Sequence, residues 1–345
     1  MQNQSFYFPF TNKLALRYNF TCNQTLVGGL FLNKQVEGIV IKAISGFFTV
    51  DTGAGEIVAQ LPGRLKKERR KSSLVAVGDR VTVSVNDDGT GTVESIAERR
   101  TVLSRTRTSA EARHVLTDQE QVLVANPDQV VFVFSIKKPS SSPRKLDRFL
   151  VIAEMNQLPA IICINKMDLS DMQEARDQFS LYEKIGYRVI YTSAKDGTGV
   201  AELRDCLQDK LSVLAGSSGV GKSSLLNAVE PGLGLKVLEV SKATGKGMHT
   251  TRFAQLFPLE MGGFVADTPG IRGLALFDVE PGELDAYFRE IGPLVANCQF
   301  SDCSHQHEPG CAVRAALEDG RVAPERYDSY LRLREEHEKL DRATY

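Results

Sequence analysis

The sequence predicts an α/β protein in three parts: a small β-barrel, a parallel sheet covered by helices, and a helical module built around a metal site. Three observations carry that prediction. Short β-like runs separated by turn residues fill positions 38–103. Buried strands and helical segments then alternate from about residue 129 to 267, the pattern of a parallel sheet. Finally, three cysteines and a histidine crowd between Cys298 and Cys311.

Composition is compatible with this division. The 345 residues correspond to two or three domains at roughly 150 residues each. Hydrophobic residues make up 42% and charged residues 25%, which excludes fibrous, collagen-like and wholly disordered chains. With 43 acidic and 42 basic residues the formal charge is −1, so an anionic partner must be sought in local patches. No apolar run approaches the ~20 residues a bilayer requires, and no membrane partner is expected. Cys22, Cys163 and Cys206 lie far apart while Cys298, Cys303 and Cys311 cluster. That is not the spread of a disulfide framework and points to a reducing compartment.

Residues 1–36 have neither clear periodicity nor the charged and apolar regions of a signal peptide, and are expected to be a poorly ordered extension. The barrel strands follow. Residues 40–50 alternate around Gly46, and further runs at 56–61, 81–85 and 92–96 are separated by Gly53, Gly55, Gly78 and Gly89. Barrels of this kind, the OB type among them, commonly bind single-stranded nucleic acid on one face. Arg64, Lys66, Lys67, Arg69, Arg70 and Lys71 form one basic cluster and Arg99, Arg100, Arg105 and Arg107 a second. Such clusters are either solvated loops or phosphate contacts; on a small barrel, RNA contact is the preferred reading.

In the α/β part, apolar runs at 130–134 and 160–164 read as buried strands, 188–191 and 212–215 as further strands, and 144–157, 171–185, 200–209 and 222–229 as helices. The segment Gly216, Ser217, Ser218, Gly219, Val220, Gly221, Lys222, Ser223 fits G-x-x-x-x-G-K-S/T between a strand and a helix, the context the phosphate-binding loop requires. Its backbone N–H groups and the helix N-terminus favour phosphate. Lys222 would reach the β- and γ-phosphates and Ser223 would hold Mg²⁺, with Ser224 completing the candidate contacts.

The choice of base rests on Asn165, Lys166, Met167 and Asp168, directly after a strand. The Asp168 carboxylate can accept from N1–H and the 2-amino group of guanine, whereas adenine lacks both donors in that arrangement. A site built on hydrogen bonds rejects such analogues strongly. Asn165 can bond the base edge and brace the phosphate loop, and the Lys166 stem can cover the ring. Ser193, Ala194 and Lys195 follow the next strand, where the Ala194 N–H would meet guanine O6. Asp267 and Gly270, in D-T-P-G after the 263–266 strand, fit the Mg²⁺ shell and a γ-phosphate contact. His249, Thr250, Thr251 and Arg252 lie where a switch threonine would sit, and Thr251 is preferred over Thr250 as the Mg²⁺ ligand.

The order of these pieces is unusual, because the base-reading loops precede the phosphate loop. The sheet can still close if residues 203–211 join what is ordinarily the last helix to what is ordinarily the first strand. All sites then gather at the carboxyl ends of the strands. Ile271 stands where familiar switches place a water-orienting Gln, so intrinsic GTP hydrolysis is expected to be slow. His249 is the candidate for positioning water. Two other classes fit less well: a P-loop ATPase or small-molecule kinase, disfavoured by Asp168, and an RNA-binding assembly module for which GTP is a conformational ligand.

Cys298, Cys303, His305 and Cys311 supply four N/S ligands within fourteen residues, the set of a closed structural Zn²⁺ site. His307 competes as the fourth ligand, iron–sulfur ligation would more usually take four cysteines, and buried free thiols are the plain alternative. Residues 323–343 read as a charged surface helix.

Barrel, N-K-M-D, S-A-K, phosphate loop, H-T-T-R, D-T-P-G and the C-x4-C-x-H-x5-C knot together resemble the circularly permuted RsgA (YjeQ/YloQ) family of small-ribosomal-subunit GTPases, from about Gly38 to the C-terminal helix. The resemblance implies a cytoplasmic bacterial factor that hydrolyses GTP to GDP, binds the 30S subunit, contacts 16S rRNA and acts late in its maturation. It also suggests the water-positioning role for His249. The expected organisation is an extension at 1–36, an OB-type barrel at 37–108, a circularly permuted P-loop GTPase domain at 109–276 and a C-terminal helical zinc-binding module at 277–345, in a monomer.

Overall fold

The computed structural model describes residues 35–63, 74–106, 120–140, 142–235, 254–267 and 281–344. Residues 1–34 of the extension expected at 1–36, the basic cluster at 64–71, Arg107, His249, Thr250, Thr251, Gly270 and Ile271 lie outside the described residues. Gln35 and Val36, expected to be poorly ordered with them, instead open the first barrel strand, paired with Ser84 and Val83. The chain divides into two compact units, the first ending at Glu98 and the second running from Arg99 to Tyr345.

Alternation of apolar and polar side chains gives the first unit its strands: β1 (Gln35–Ile44), β2 (Phe47–Asp51), β3 (Glu56–Gln60), β4 (Arg80–Val85) and β5 (Gly91–Ile96). β1 pairs with both β2 and β4, β2 with β3, and β4 with β5, all antiparallel; β3 and β5 pair in parallel and close the barrel. This is the five-stranded OB arrangement. Val40, Phe48, Val50, Ala59, Val81, Val83 and Val93 fill its interior, while Phe47 and Val58 point outward.

The second unit opens with an antiparallel pair of strands, β6 (Val102–Thr106) and β7 (Glu120–Ala125). A six-stranded sheet follows: β8 (Gln129–Ser135), β9 (Ala160–Asn165), β10 (Arg188–Tyr191), β11 (Lys210–Ala215), β12 (Gln255–Pro258) and β13 (Gly263–Asp267). Their spatial order is β10-β9-β8-β11-β13-β12, parallel throughout except for β12. β12 is four residues long and ends in Pro258, too short for its pattern to be read from sequence. β8 and β9 are buried on both faces, the reason they appear as unbroken apolar runs.

Four helices cover this sheet: α1 (Pro143–Met155), α2 (Met172–Lys184), α3 (Val200–Leu207) and α4 (Lys222–Val229). Proline at its first turn opens α1, and the Asp171 carboxylate caps α2 by accepting the Gln173 N–H at 2.6 Å. Between α3 and β11 only Gln208 and Asp209 intervene, the latter at φ 57°, so the rerouted connection is a tight turn within the predicted 203–211 stretch. The chain thus follows a circularly permuted path.

Beyond residue 280 come a 3₁₀ turn at Leu284–Tyr287, then α5 (Gly292–Val295), α6 (Ala312–Glu318) and α7 (Pro324–Thr344). One expectation is corrected here. α7 is not merely a charged surface helix, because Arg326, Tyr330, Leu333 and His337 form a buried stripe at helical spacing. The Arg326 guanidinium donates to Asp147 of α1 at 2.6 Å and to Glu290 at 2.6 Å, and lies 4.5 Å over the Phe288 ring. Ser329 and Tyr182 also donate to Asp147. Desolvation, and then the neighbouring Asp147 charge, raise the Tyr182 phenol above its ordinary range. A residue that counts as solvated charge in the sequence is here neutralised inside the fold.

Candidate functional site

The carboxyl ends of β9, β10 and β11 bring three predicted loops together. Asn165, the last residue of β9, is 1% exposed. Its Nδ2 donates to the Val220 carbonyl at 2.9 Å, and its Oδ1 accepts the Ala194 N–H and the Thr192 hydroxyl, each at 3.3 Å. One side chain therefore joins the phosphate loop to the Ser193–Lys195 loop. Lys166, in left-handed backbone at φ 64°, donates through Nζ to the carbonyls of Gly219, at 2.6 Å, and of Lys138. Desolvation holds its ammonium below the usual lysine range. The Met167 side chain is buried, and its N–H bonds to the Thr192 carbonyl at 3.1 Å. Asp168 accepts from the Ser193 hydroxyl at 3.2 Å and faces the Lys195 ammonium at 3.5 Å.

In the phosphate loop, Gly216, Gly219 and Gly221 have φ of 154°, 80° and 95°. Such backbone suits glycine. Lys222, at the start of α4, donates to the carbonyls of Gly216 and Ser217 at 2.8 and 3.1 Å. A Cβ on Gly221 would stand 2.5 Å from Asn165 Nδ2. Gly221→Ala would therefore strain the backbone and push aside the side chain that joins both loops. Nucleotide affinity should fall about 10–100-fold, the equivalent of roughly 1–3 kcal/mol of strain, measured by titration with a fluorescent guanine nucleotide. Ser223 and Ser224 lie in the first turn of α4, and Asp267 closes β13 two strands from β8. A cavity of about 670 Å³ is lined by Gly216, Ser217 and Ser218 of the phosphate loop together with Arg144, Lys145 and Arg148 of α1.

The predicted metal ligands also meet. Ligand atoms of Cys298, Cys303, His305 and Cys311 all lie within 4.8 Å of one another. His305 Nδ1 stands 3.6 Å from Cys298 Sγ and 3.4 Å from Cys311 Sγ. A tetrahedral zinc with ordinary bond lengths requires edges of about 3.6 Å between sulfur and nitrogen, so the donor set fits that ion. Burial pushes the Cys303 thiol up to about 12, a cost that a bound dication offsets by taking the thiolate. His307 is exposed and outside the cluster.

Two carboxylates support this loop, and neither was legible in the sequence. Asp285 Oδ2 lies 2.9 Å from His305 Nε2, both side chains buried. Glu308 accepts the N–H groups of Ser304, Gln306 and His307 and the Ser304 hydroxyl. The Ser304 hydroxyl is the foremost reason that the Glu308 carboxyl is held well below the usual range. Among the described residues no helix is long and apolar enough to cross a membrane.

Comparison with known proteins agrees with this geometry. Residues 37–93 match the RsgA N-terminal domain and residues 96–277 the RsgA GTPase. A small ribosomal subunit biogenesis GTPase RsgA of Gemmatimonas aurantiaca is 45% identical over 308 residues, covering 88% of this chain and 98% of the relative. Its namesake from Thermotoga maritima is 41% identical over 307 residues, covering 88% and 97%. The crystal structure of YjeQ from Thermotoga maritima superposes with a TM-score of 0.70 at 38% identity, over 88% of this chain and 98% of that one. That of YloQ, a circularly permuted GTPase, gives 0.68 at 37%, over 88% and 95%. The chain belongs to the RsgA family of circularly permuted GTPases.

Proposed function

We propose that this GTPase is stimulated by the small ribosomal subunit, binds 30S through 16S rRNA and acts late in the maturation of that subunit, as a monomer in the cytoplasm. The relatives' name, small ribosomal subunit biogenesis GTPase, supports the partner, and the basic clusters beside an OB-type barrel support RNA contact. The observation that carries the guanine site is the bridge from Asn165 to Val220 and Ala194, which makes base reading and phosphate binding one assembly.

In this reading Asn165, Lys166, Met167 and Asp168, with Ser193, Ala194 and Lys195, read the base. Residues 216–224 hold the phosphates, with the Lys222 ammonium leaving its carbonyl partners for the β- and γ-oxygens. Ser223, Thr251 and Asp267 would hold Mg²⁺, which would supply positive charge to offset that of the phosphates, and the Gly270 N–H would meet the γ-phosphate. Hydrolysis transfers that phosphoryl group to water, so it needs an oriented water and a neutralised transition state. His249 orients the water, because Ile271 cannot. The cysteine–histidine cluster would hold one structural Zn²⁺ that staples together the C-terminal helical module, while the barrel contacts RNA.

The test is the GTPase rate with and without purified 30S subunits. A rise of about tenfold or more is expected, modest beside the 10³–10⁵ that a partner acting in trans can supply. His249→Ala should abolish the stimulated rate and leave the GTP dissociation constant within about twofold, the signature of an interaction made only in the transition state. No stimulation, together with equal 30S affinity in GDP and in a non-hydrolysable GTP analogue, would instead favour an RNA-binding assembly module.

A further inference from the structure

We propose that Asp285 is the positioning residue of the Cys298/Cys303/His305/Cys311 centre. It selects His305 Nδ1 as the metal ligand and ties the centre to the turn that packs against α1. The proposal rests on reading the cluster as a zinc site.

An imidazole has two nitrogens, and each faces a different neighbour here. Nδ1 faces Cys298 Sγ and Cys311 Sγ, whereas Nε2 meets Asp285 Oδ2 at 2.9 Å. A carboxylate only accepts hydrogen bonds, so Nε2 carries the proton and the Nδ1 lone pair is left for the metal. His305 is wholly buried, so no water can substitute for this partner without new space.

The backbone of His305 is fixed independently. Its φ is 62°, unusual for a residue with a side chain. Its carbonyl accepts the Tyr327 hydroxyl at 2.6 Å, and Glu308 gathers the N–H groups on either side. With the main chain held, ring orientation is the remaining freedom, and Asp285 removes it.

Asp285 does not belong to the ligand loop. It sits on the Leu284–Tyr287 turn, where Leu284 and Phe288 are buried. Phe288 meets Tyr330 edge-on at 5.7 Å and lies beneath the Arg326 guanidinium that pairs with Asp147 of α1. The hydrogen bond from His305 to Asp285 therefore runs from the metal loop into the junction of the C-terminal module with α1.

The experiment uses the full-length protein carrying its zinc, with metal content determined by mass spectrometry and affinity by competition with a chromophoric chelator. Asp285→Ala should raise the zinc dissociation constant about 10–100-fold, the usual cost of losing such a partner. Asp285→Asn keeps an acceptor oxygen and should recover part of that loss, while His307→Ala should match the parent protein. Nitrogen-15 spectra of the parent should show His305 protonated at Nε2 and metal-bound at Nδ1, a signature that a purely structural role for Asp285 would not set. Parent-like zinc affinity in both Asp285 variants, or metal on Nε2, overturns this proposal alone. A parent protein without stoichiometric zinc, or one whose zinc content survives Cys298→Ser unchanged, overturns the zinc reading and this proposal with it.

Discussion

Asp168→Asn should lower GTP affinity by about 10²–10⁴-fold. The carboxylate offers two acceptors to two guanine donors, and hydrogen bonds to charged groups are worth roughly 1.5–3 kcal/mol each. The variant loses one such bond and sets the guanine 2-amino donor against an amide donor, an unsatisfied pair that costs about 1–3 kcal/mol more. The total is about 3–6 kcal/mol, which converts to that range of affinity. An amide replaces one acceptor by a donor, so it opposes the guanine 2-amino group and suits a base with a carbonyl at that position. Xanthosine triphosphate should consequently gain affinity in the variant. The fold should tolerate the change, because the Ser193 hydroxyl that meets Asp168 at 3.2 Å can bond an amide oxygen equally well. Competition titrations with both nucleotides decide the matter, and unchanged GTP affinity would remove the basis for the guanine assignment.

Asp147→Ala should have the largest effect on stability. The Asp147 side chain is 2% exposed, and Arg326, Ser329 and Tyr182 all converge on it. Deleting it leaves the Arg326 guanidinium, itself 1% exposed, with Glu290 alone as its carboxylate partner among the described residues. Breaking a buried pair from one side typically costs about 3–5 kcal/mol. For a unit of this size that is a fall in melting temperature of roughly 6–20 °C, read by circular dichroism. Replacing Asp147, Glu290 and Arg326 together by apolar residues of similar volume should cost much less, since no charge is then stranded. A single variant that melts with the parent would mean that the network contributes nothing net.

The sequence conveyed what neighbours in the chain accomplish together. The phosphate loop is one continuous segment whose glycines and lysine act on one ligand, so spacing alone identifies it. β8 and β9 are legible for a similar reason, since burial on both faces leaves no polar interruption. The brace from Asn165 to the phosphate loop was also foreseeable, because a base-reading loop must meet the phosphate site.

Contacts that depend on folding were not legible. Lys166 finds the carbonyls of Lys138 and Gly219, 28 and 53 positions away, and no local pattern encodes either. The pairing of β6 with β7 was not legible, because the thirteen residues between them, 107–119, contain no glycine or proline to announce a turn. Arg326 is the plainest case: within the sequence it is one more charge on a charged helix, and only the approach of Asp147 and Glu290 makes it interior.

The strand order has a mechanical consequence. The chain enters the sheet at the start of β8 and leaves it at the end of β13, and β11 lies hydrogen-bonded between these two. Because the three strands are parallel, a tug on the two exits loads β11 in shear along both of its ladders at once, rather than unzipping one rung at a time. The strand that carries the phosphate loop is thus the one on which traction from either flank converges, and also the one best braced to withstand it.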